Sequence, residues 1–234
     1  MEGQQSTPLS HLGQQQAQHL SNALLPLQAI HQANLSNPAL SNPLKLTKTR
    51  PTHLYSSPLL RATQTAQALQ QALKKANFSL PIKQHQNLQE IHPGIFQGLT
   101  WAEATTQYPS LCEHLMTSSE WRPVPEAESL TEARSRAQAW VDKLLSQHHP
   151  GETVWAVSHA GLMLHIIAAI MGCDRTWKIN ISHTAIFEFW LANTSHRQTH
   201  PNLGNDLGEN KFNPEYWILR RFNDTSHLQG LSQK

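Results

Sequence analysis

A chain of 234 residues with 38% hydrophobic content is long enough for one sizeable core, or for a core with a small appended lobe. Only 15% of residues are charged and the formal net charge is +2, which excludes the basic footprint of a nucleic-acid binder. No apolar run approaches the roughly 18 residues of a membrane span, and the opening MEGQQSTPLSHLGQQQ lacks the basic-then-apolar order of a signal peptide. With two widely spaced cysteines, Cys112 and Cys173, and no disulfide framework, the composition predicts a cytoplasmic protein.

In chain order, Ser10 to Leu25 reads as an amphipathic helix. Leu12, Gln16/Ala17, Leu20 and Ala23/Leu24 share a stripe, Ser10 is the expected N-cap and Pro26 the stop. The stretch to Arg50, with Asn-Pro at 37–38 and 42–43, reads as loop. Thr52 to Ser57 is a short strand candidate, with Ser57 expected to cap a helix that opens at Pro58. Ala62, Ala66, Leu69 and Leu73 predict a helix over 59–76, and Phe78 to Lys83 a second extended piece.

Residues 84–130 are less regular. They hold Pro93-Gly94, a helix candidate over Trp101–Tyr108 and the Pro-rich Trp121–Pro125, and they read as a lobe inserted into one domain spanning 1–234. Trp101 and Trp121 are expected to pack this lobe. A helix over 129–146 follows. Thr153 to Ser158 is a nearly continuous apolar run, expected to be a strand covered on both faces. Leu162 to Met171 predicts a buried helix, and 185–191 and 216–222 late strands. The alternation of strands and helices predicts an α/β fold, three-layer α/β/α with a mostly parallel sheet.

Two strand ends carry chemistry, because ligands of open α/β sheets bind where strands end. Arg61 falls in the first turn of the helix after Ser56-Ser57-Pro58, where a guanidinium beside backbone N–H groups suits an oxyanion. His159 follows the strand of Val157-Ser158, ahead of the small residues Ala160-Gly161. Taken singly, such an arginine is more often a solvated surface charge, and such a histidine a satisfied structural group.

Their order along the chain is more specific. Thr7-Pro8-Leu9-Ser10, Ser56-Ser57-Pro58-Leu59-x-Arg61-Ala62-x-Gln64-Thr65, Leu88-Gln-Glu90, Gly98-Leu99-Thr100, Glu128-Ser129-Leu130 and Val157-Ser158-His159-Ala160-Gly161 together resemble the histidine phosphatase superfamily, also called phosphoglycerate-mutase-like. The resemblance implies two-step phosphoryl transfer to a small phosphorylated metabolite through a phosphohistidine. It assigns Arg61 and His159 to phosphoryl binding and Glu90 to the general acid, with no metal or organic cofactor. Glu90 is followed by Ile91-His92-Pro93 where mutases carry arginine, so the resemblance favours hydrolysis over phosphate shuffling. A non-catalytic phospho-ligand binder, or a mutase-type phosphotransferase, is the alternative.

The family's first, central strand ends in Arg-His-Gly and supplies the nucleophile; no Arg-His-Gly occurs in this sequence. Three or four buried side chains of such a strand contribute about 5–12 kcal/mol, comparable with a domain's whole stability. The expectation is therefore that Met1 is an internal methionine of a longer, active protein and that the chain as it stands is inactive. Fifteen histidines invite a metal reading, but most are scattered. His148-His149 reads as a surface turn, and Pro201 follows the metal-type spacing of His196 and His200, so no metal site is expected.

Overall fold

The structure, a computed structural model, describes residues 1–24, 50–117, 123–149, 151–173, 176, 179–192 and 216–231. The expected loop over 26–49, Trp121, and His196 and His200 lie outside them. Six α-helices and five strands are described: α1 (His11–Leu24), β1 (His53–Ser56), α2 (Leu60–Lys75), β2 (Ile82–Gln84), α3 (Trp101–Gln107), α4 (Pro109–Thr117), α5 (Leu130–Gln147), β3 (Val154–Val157), α6 (Ala160–Ile170), β4 (Ile186–Ala192) and β5 (Tyr216–Asp224).

The parallel sheet runs β2-β1-β3, with Leu54 opposite both Ile82 and Trp155. Successive side chains of a strand point to opposite faces, and β1 divides the core on that rule. Leu54 packs with Leu20 of α1 and Leu69 of α2 on one face. Tyr55 packs with Trp140 and Val141 of α5 and with Leu162, Ile166 and Ile170 of α6 on the other. Helices thus cover both faces, and each fully buried side chain contributes about 1.5–3 kcal/mol.

Three expectations need correction. The helix after β1 begins at Leu60 with Leu59 as its N-cap, not at Pro58 with Ser57 as cap, because Ser57 turns inward. The second extended piece is confined to Ile82–Gln84, beyond Pro81. Strand β3 is only half covered, with Ala156 exposed, because its one partner among the described residues is β1. The late strands β4 and β5 pair antiparallel in a sheet of their own, yet Ile186 and Phe189 of β4 reach the two cores.

Within 84–130 a separate small core gathers Phe96, Ala104 and Cys112, with Leu99, Tyr108 and Leu115 around it. Trp101 is 44% exposed and touches this core through Phe96, at 6.3 Å between ring centroids. Gly94 closes the lobe against the following segment. Its φ of +62° and the approach of Pro125 O, 2.0 Å from where a Cβ would sit, leave room for glycine alone. Among the described residues no helix is long and apolar enough to cross a membrane.

Candidate functional site

Because β1 and β3 are parallel neighbours, their C-terminal ends open onto the same edge of the sheet. Ser57 follows β1 and continues the pairing by one step, its N–H donating to Val157 O at 2.9 Å. His159 follows β3. Its Nε2 lies 2.8 Å from Ser57 Oγ, and both residues are buried. Burial, reinforced by the charges of Arg61 and Arg136, holds the imidazole of His159 down at about 3, so it is neutral at neutral pH.

The next helical turn explains Glu90. His159 is the N-cap of α6 but makes no side-chain cap bond, leaving N–H groups of the first turn in need of acceptors. Glu90, brought in from the loop after the 3₁₀ turn Gln86–Leu88, supplies the acceptors. Its Oε2 accepts from Gly161 N at 3.2 Å, and its Oε1 from Leu162 N at 3.1 Å and Ile91 N at 2.8 Å.

The close approach depends on Gly161, where an added Cβ would meet Glu90 Oε1 at 2.6 Å and Cδ at 3.2 Å. Gly161→Ala is therefore expected to lose about 1–3 kcal/mol in urea denaturation by displacing Glu90, although alanine ordinarily stabilises a helix over glycine. An unchanged or raised midpoint rejects this account of Gly161.

Arg61 lies where the sequence puts it, in the first turn of α2, with two of its N–H groups bonded to backbone carbonyls. NH1 donates to Gln5 O and NH2 to Gly3 O, each at 2.7 Å, and Nε lies 3.6 Å from the Glu2 carboxylate. The same N-terminal turn reaches the other half of the site, since Gln4 Nε2 donates to Glu90 O at 2.9 Å. His159 and Ser57 are thus brought together directly, and Glu90 is seated on the helical turn that follows His159. Arg61 joins them through its field on His159 and through the turn of residues 2–5.

Sequence reasoning missed two groups that build this arrangement. Ser57 is the direct partner of His159, and its Oγ also accepts from Leu59 N–H at 3.3 Å. Arg136 braces the Glu90 loop, its NH1 donating to Gln89 O at 2.6 Å and to Asn87 O at 3.2 Å. It also holds Glu128 in a two-pronged ion pair, Nε to Oε1 at 2.8 Å and NH2 to Oε2 at 2.7 Å. The signal for Arg136 was present: Ala133, Ala137, Trp140 and Val141 form the buried stripe of α5, and an arginine between Ala133 and Ala137 shares that side of the helix. An open depression of 410 Å³, lined by Gln4, Gln89, His92, Glu128 and Arg136 among others, runs along this brace, and neither Arg61 nor His159 lines it.

The description of the histidine phosphatase superfamily (branch 1) matches residues 32–200, which include Arg61, Glu90 and His159. The chain belongs to this superfamily. Among solved structures it is similar to "Mycobacterial hydrolase 2", at 22% identity over 95% of this chain and 82% of that one, with a TM-score of 0.63. Mycobacterial glucosyl-3-phosphoglycerate phosphatase in complex with inorganic phosphate is also similar, at 22% identity over 97% and 92% of the two chains, with a TM-score of 0.62. The same mycobacterial phosphatase complexed with VO3 gives 27% identity over 73% and 72%, with a TM-score of 0.53. No curated protein matches the chain. These neighbours show the histidine phosphatase fold for this member of the superfamily.

Proposed function

We propose that the chain serves hydrolysis of a small phosphomonoester, with Arg61 and His159 holding the phosphoryl group and Glu90 protonating the leaving oxygen. The observation that carries this reading is the convergence of His159, Ser57 and Glu90 at the C-terminal ends of β1 and β3. Neutral His159 offers one N–H to a phosphoryl oxygen, and Arg61 supplies the charge. In the first step the ester P–O bond breaks as a P–N bond to a histidine forms, and the departing alkoxide takes the proton of the Glu90 carboxyl. In the second, water attacks phosphorus and gives a proton to the Glu90 carboxylate while the P–N bond breaks, releasing phosphate and the free histidine. Residues 84–130 form the lobe that borders the substrate. The two cysteines, both free, fit a cytoplasmic setting.

The solved neighbours crystallised with inorganic phosphate and with VO3 support a phosphorylated ligand. A second reading is that the chain binds phospho-ligands through Arg61 and His159 without turnover. Orthovanadate titrated into the chain is expected to bind, and Arg61→Ala and His159→Ala each to weaken it at least tenfold. Turnover of p-nitrophenyl phosphate is expected to be absent from the chain alone and to appear when an N-terminal strand ending in Arg-His-Gly is fused to it. Vanadate binding without turnover in either form selects the binder. No binding in either form rejects both readings.

A further inference from the structure

At the opposite end of the parallel sheet, where β1 and β3 begin, a second group of side chains meets that the phosphoryl site does not use. His53 opens β1, His148 is the C-cap of α5 and begins the connection to β3, and Glu152 lies two residues before β3. One ligand atom from each of the three lies within 4.8 Å of those of the others. We propose that His53, His148 and Glu152 form a binding site for a borderline divalent cation of the Zn²⁺ class.

Donor type and spacing both fit. Two imidazoles and one carboxylate are the ligand set of a three-coordinate protein site with an open fourth position. Bond lengths of about 2.0–2.2 Å place tetrahedral ligand atoms about 3.3–3.5 Å apart. The observed spacings straddle that value: 2.8 Å from His148 Nδ1 to Glu152 Oε2, and 3.8 Å from His53 Nδ1 to the same oxygen. Shifts of about half an ångström, within reach of side-chain rotation, bring these two spacings to the tetrahedral value, and the two imidazole nitrogens lie within 4.8 Å of each other. The side chains are 24%, 10% and 29% exposed for His53, His148 and Glu152, so the site is open to solvent on one side for ion entry and a bound water.

The surroundings are those of a supported site. His148 Nε2 lies 3.2 Å from the Tyr55 hydroxyl. With Nδ1 ligating, Nε2 carries the proton and donates to that oxygen, the kind of outer partner that fixes a metal-bound ring. Tyr55 is itself locked against Trp140, 5.1 Å between ring centroids. Below the ligands, Thr52 and Thr153 tie the strand starts together, Thr52 N donating to Thr153 O at 2.7 Å and Thr52 Oγ1 to the same oxygen at 3.0 Å. Lys83 on β2 opposes a cation, its charge reaching His53 from over the Tyr55 ring, and Glu152 offsets it. The sequence hides the site because His53 lies nearly a hundred positions from His148 and Glu152, and parallel pairing of β1 with β3 brings it to them.

The test is calorimetric titration of Zn²⁺ into the full chain after chelator treatment, with thermal melting as a second readout. One equivalent is expected to bind at micromolar or tighter affinity and to raise the melting temperature. His53→Gln and Glu152→Gln, both at partly exposed positions, are each expected to weaken binding at least tenfold, as is His148→Ala, whereas His92→Ala is expected to leave it unchanged. Tightly bound Co²⁺ should show the intense visible bands of tetrahedral coordination. Zn²⁺ binding that survives His53→Gln and Glu152→Gln belongs to other histidines and overturns the proposal, and so does the absence of a one-to-one phase.

Discussion

Arg136→Met is expected to destabilise the protein by about 2–4 kcal/mol and to release the loop that carries Glu90. The guanidinium touches the carbonyls of Asn87 and Gln89 and both oxygens of Glu128, with side-chain exposure of 17% for Arg136 and 12% for Glu128. Removing one partner of such a pair strands the other charge in a poorly solvated place, at a cost of about 3–5 kcal/mol when fully buried and less with this exposure. The control is Arg136→Met combined with Glu128→Leu, which removes both charges and should recover much of the loss. Urea denaturation of the parent, Arg136→Met, Glu128→Leu and the double variant measures the coupling. A single mutant within about 0.5 kcal/mol of the parent would show that the brace carries no weight.

Acid is expected to destabilise the fold through His159. An unfolded histidine titrates near 6.5, while His159 in the folded chain is held at about 3, chiefly by burial. Above 6.5 both states are neutral and stability is complete. Below it the unfolded chain takes up a proton that the folded one refuses, so stability falls by about 1.4 kcal/mol per pH unit until about pH 3, a total on the order of 4–5 kcal/mol. His53, His85, His165 and His227 are also held below their usual value, mainly by burial, and act in the same direction. Unfolding free energies from pH 7 to 4 should therefore slope less steeply, by close to one proton, in His159→Gln. Equal slopes in parent and variant refute this account of the histidine.

What the sequence made legible follows from which interactions are local. The helices over 11–24, 60–75 and 130–147 announced themselves because a stripe of side chains every three or four residues is a local pattern. Helix α4 was missed because Pro109 after Tyr108 looks like a stop, whereas proline at a first helical position is a start. The apolar run of β3 promised a strand buried on both faces, but a residue's hydrophobicity does not say how many strands flank it. Arg61, Glu90 and His159 were found through a motif order that spans the chain. Their contacts were not, since the seat of Glu90 on α6 and the pairing of Ser57 with His159 join segments 70 to 100 residues apart.

The turn of residues 2–5 has a consequence for which anions the site admits. Gly3 and Gln5 already fill the guanidinium of Arg61 with two carbonyls, and Glu2 stands beside it. A group tethered to its target competes at an effective concentration of about millimolar order. An incoming anion therefore does not meet an empty cation; it must outcompete a resident, covalently attached rival. A dianion that also engages His159 is better placed in that contest than chloride or a single carboxylate. Displacing the carbonyls from Arg61 leaves the turn held elsewhere, by Gln4 on Gln97 and Glu90 and by Met1 O on Gly98 N.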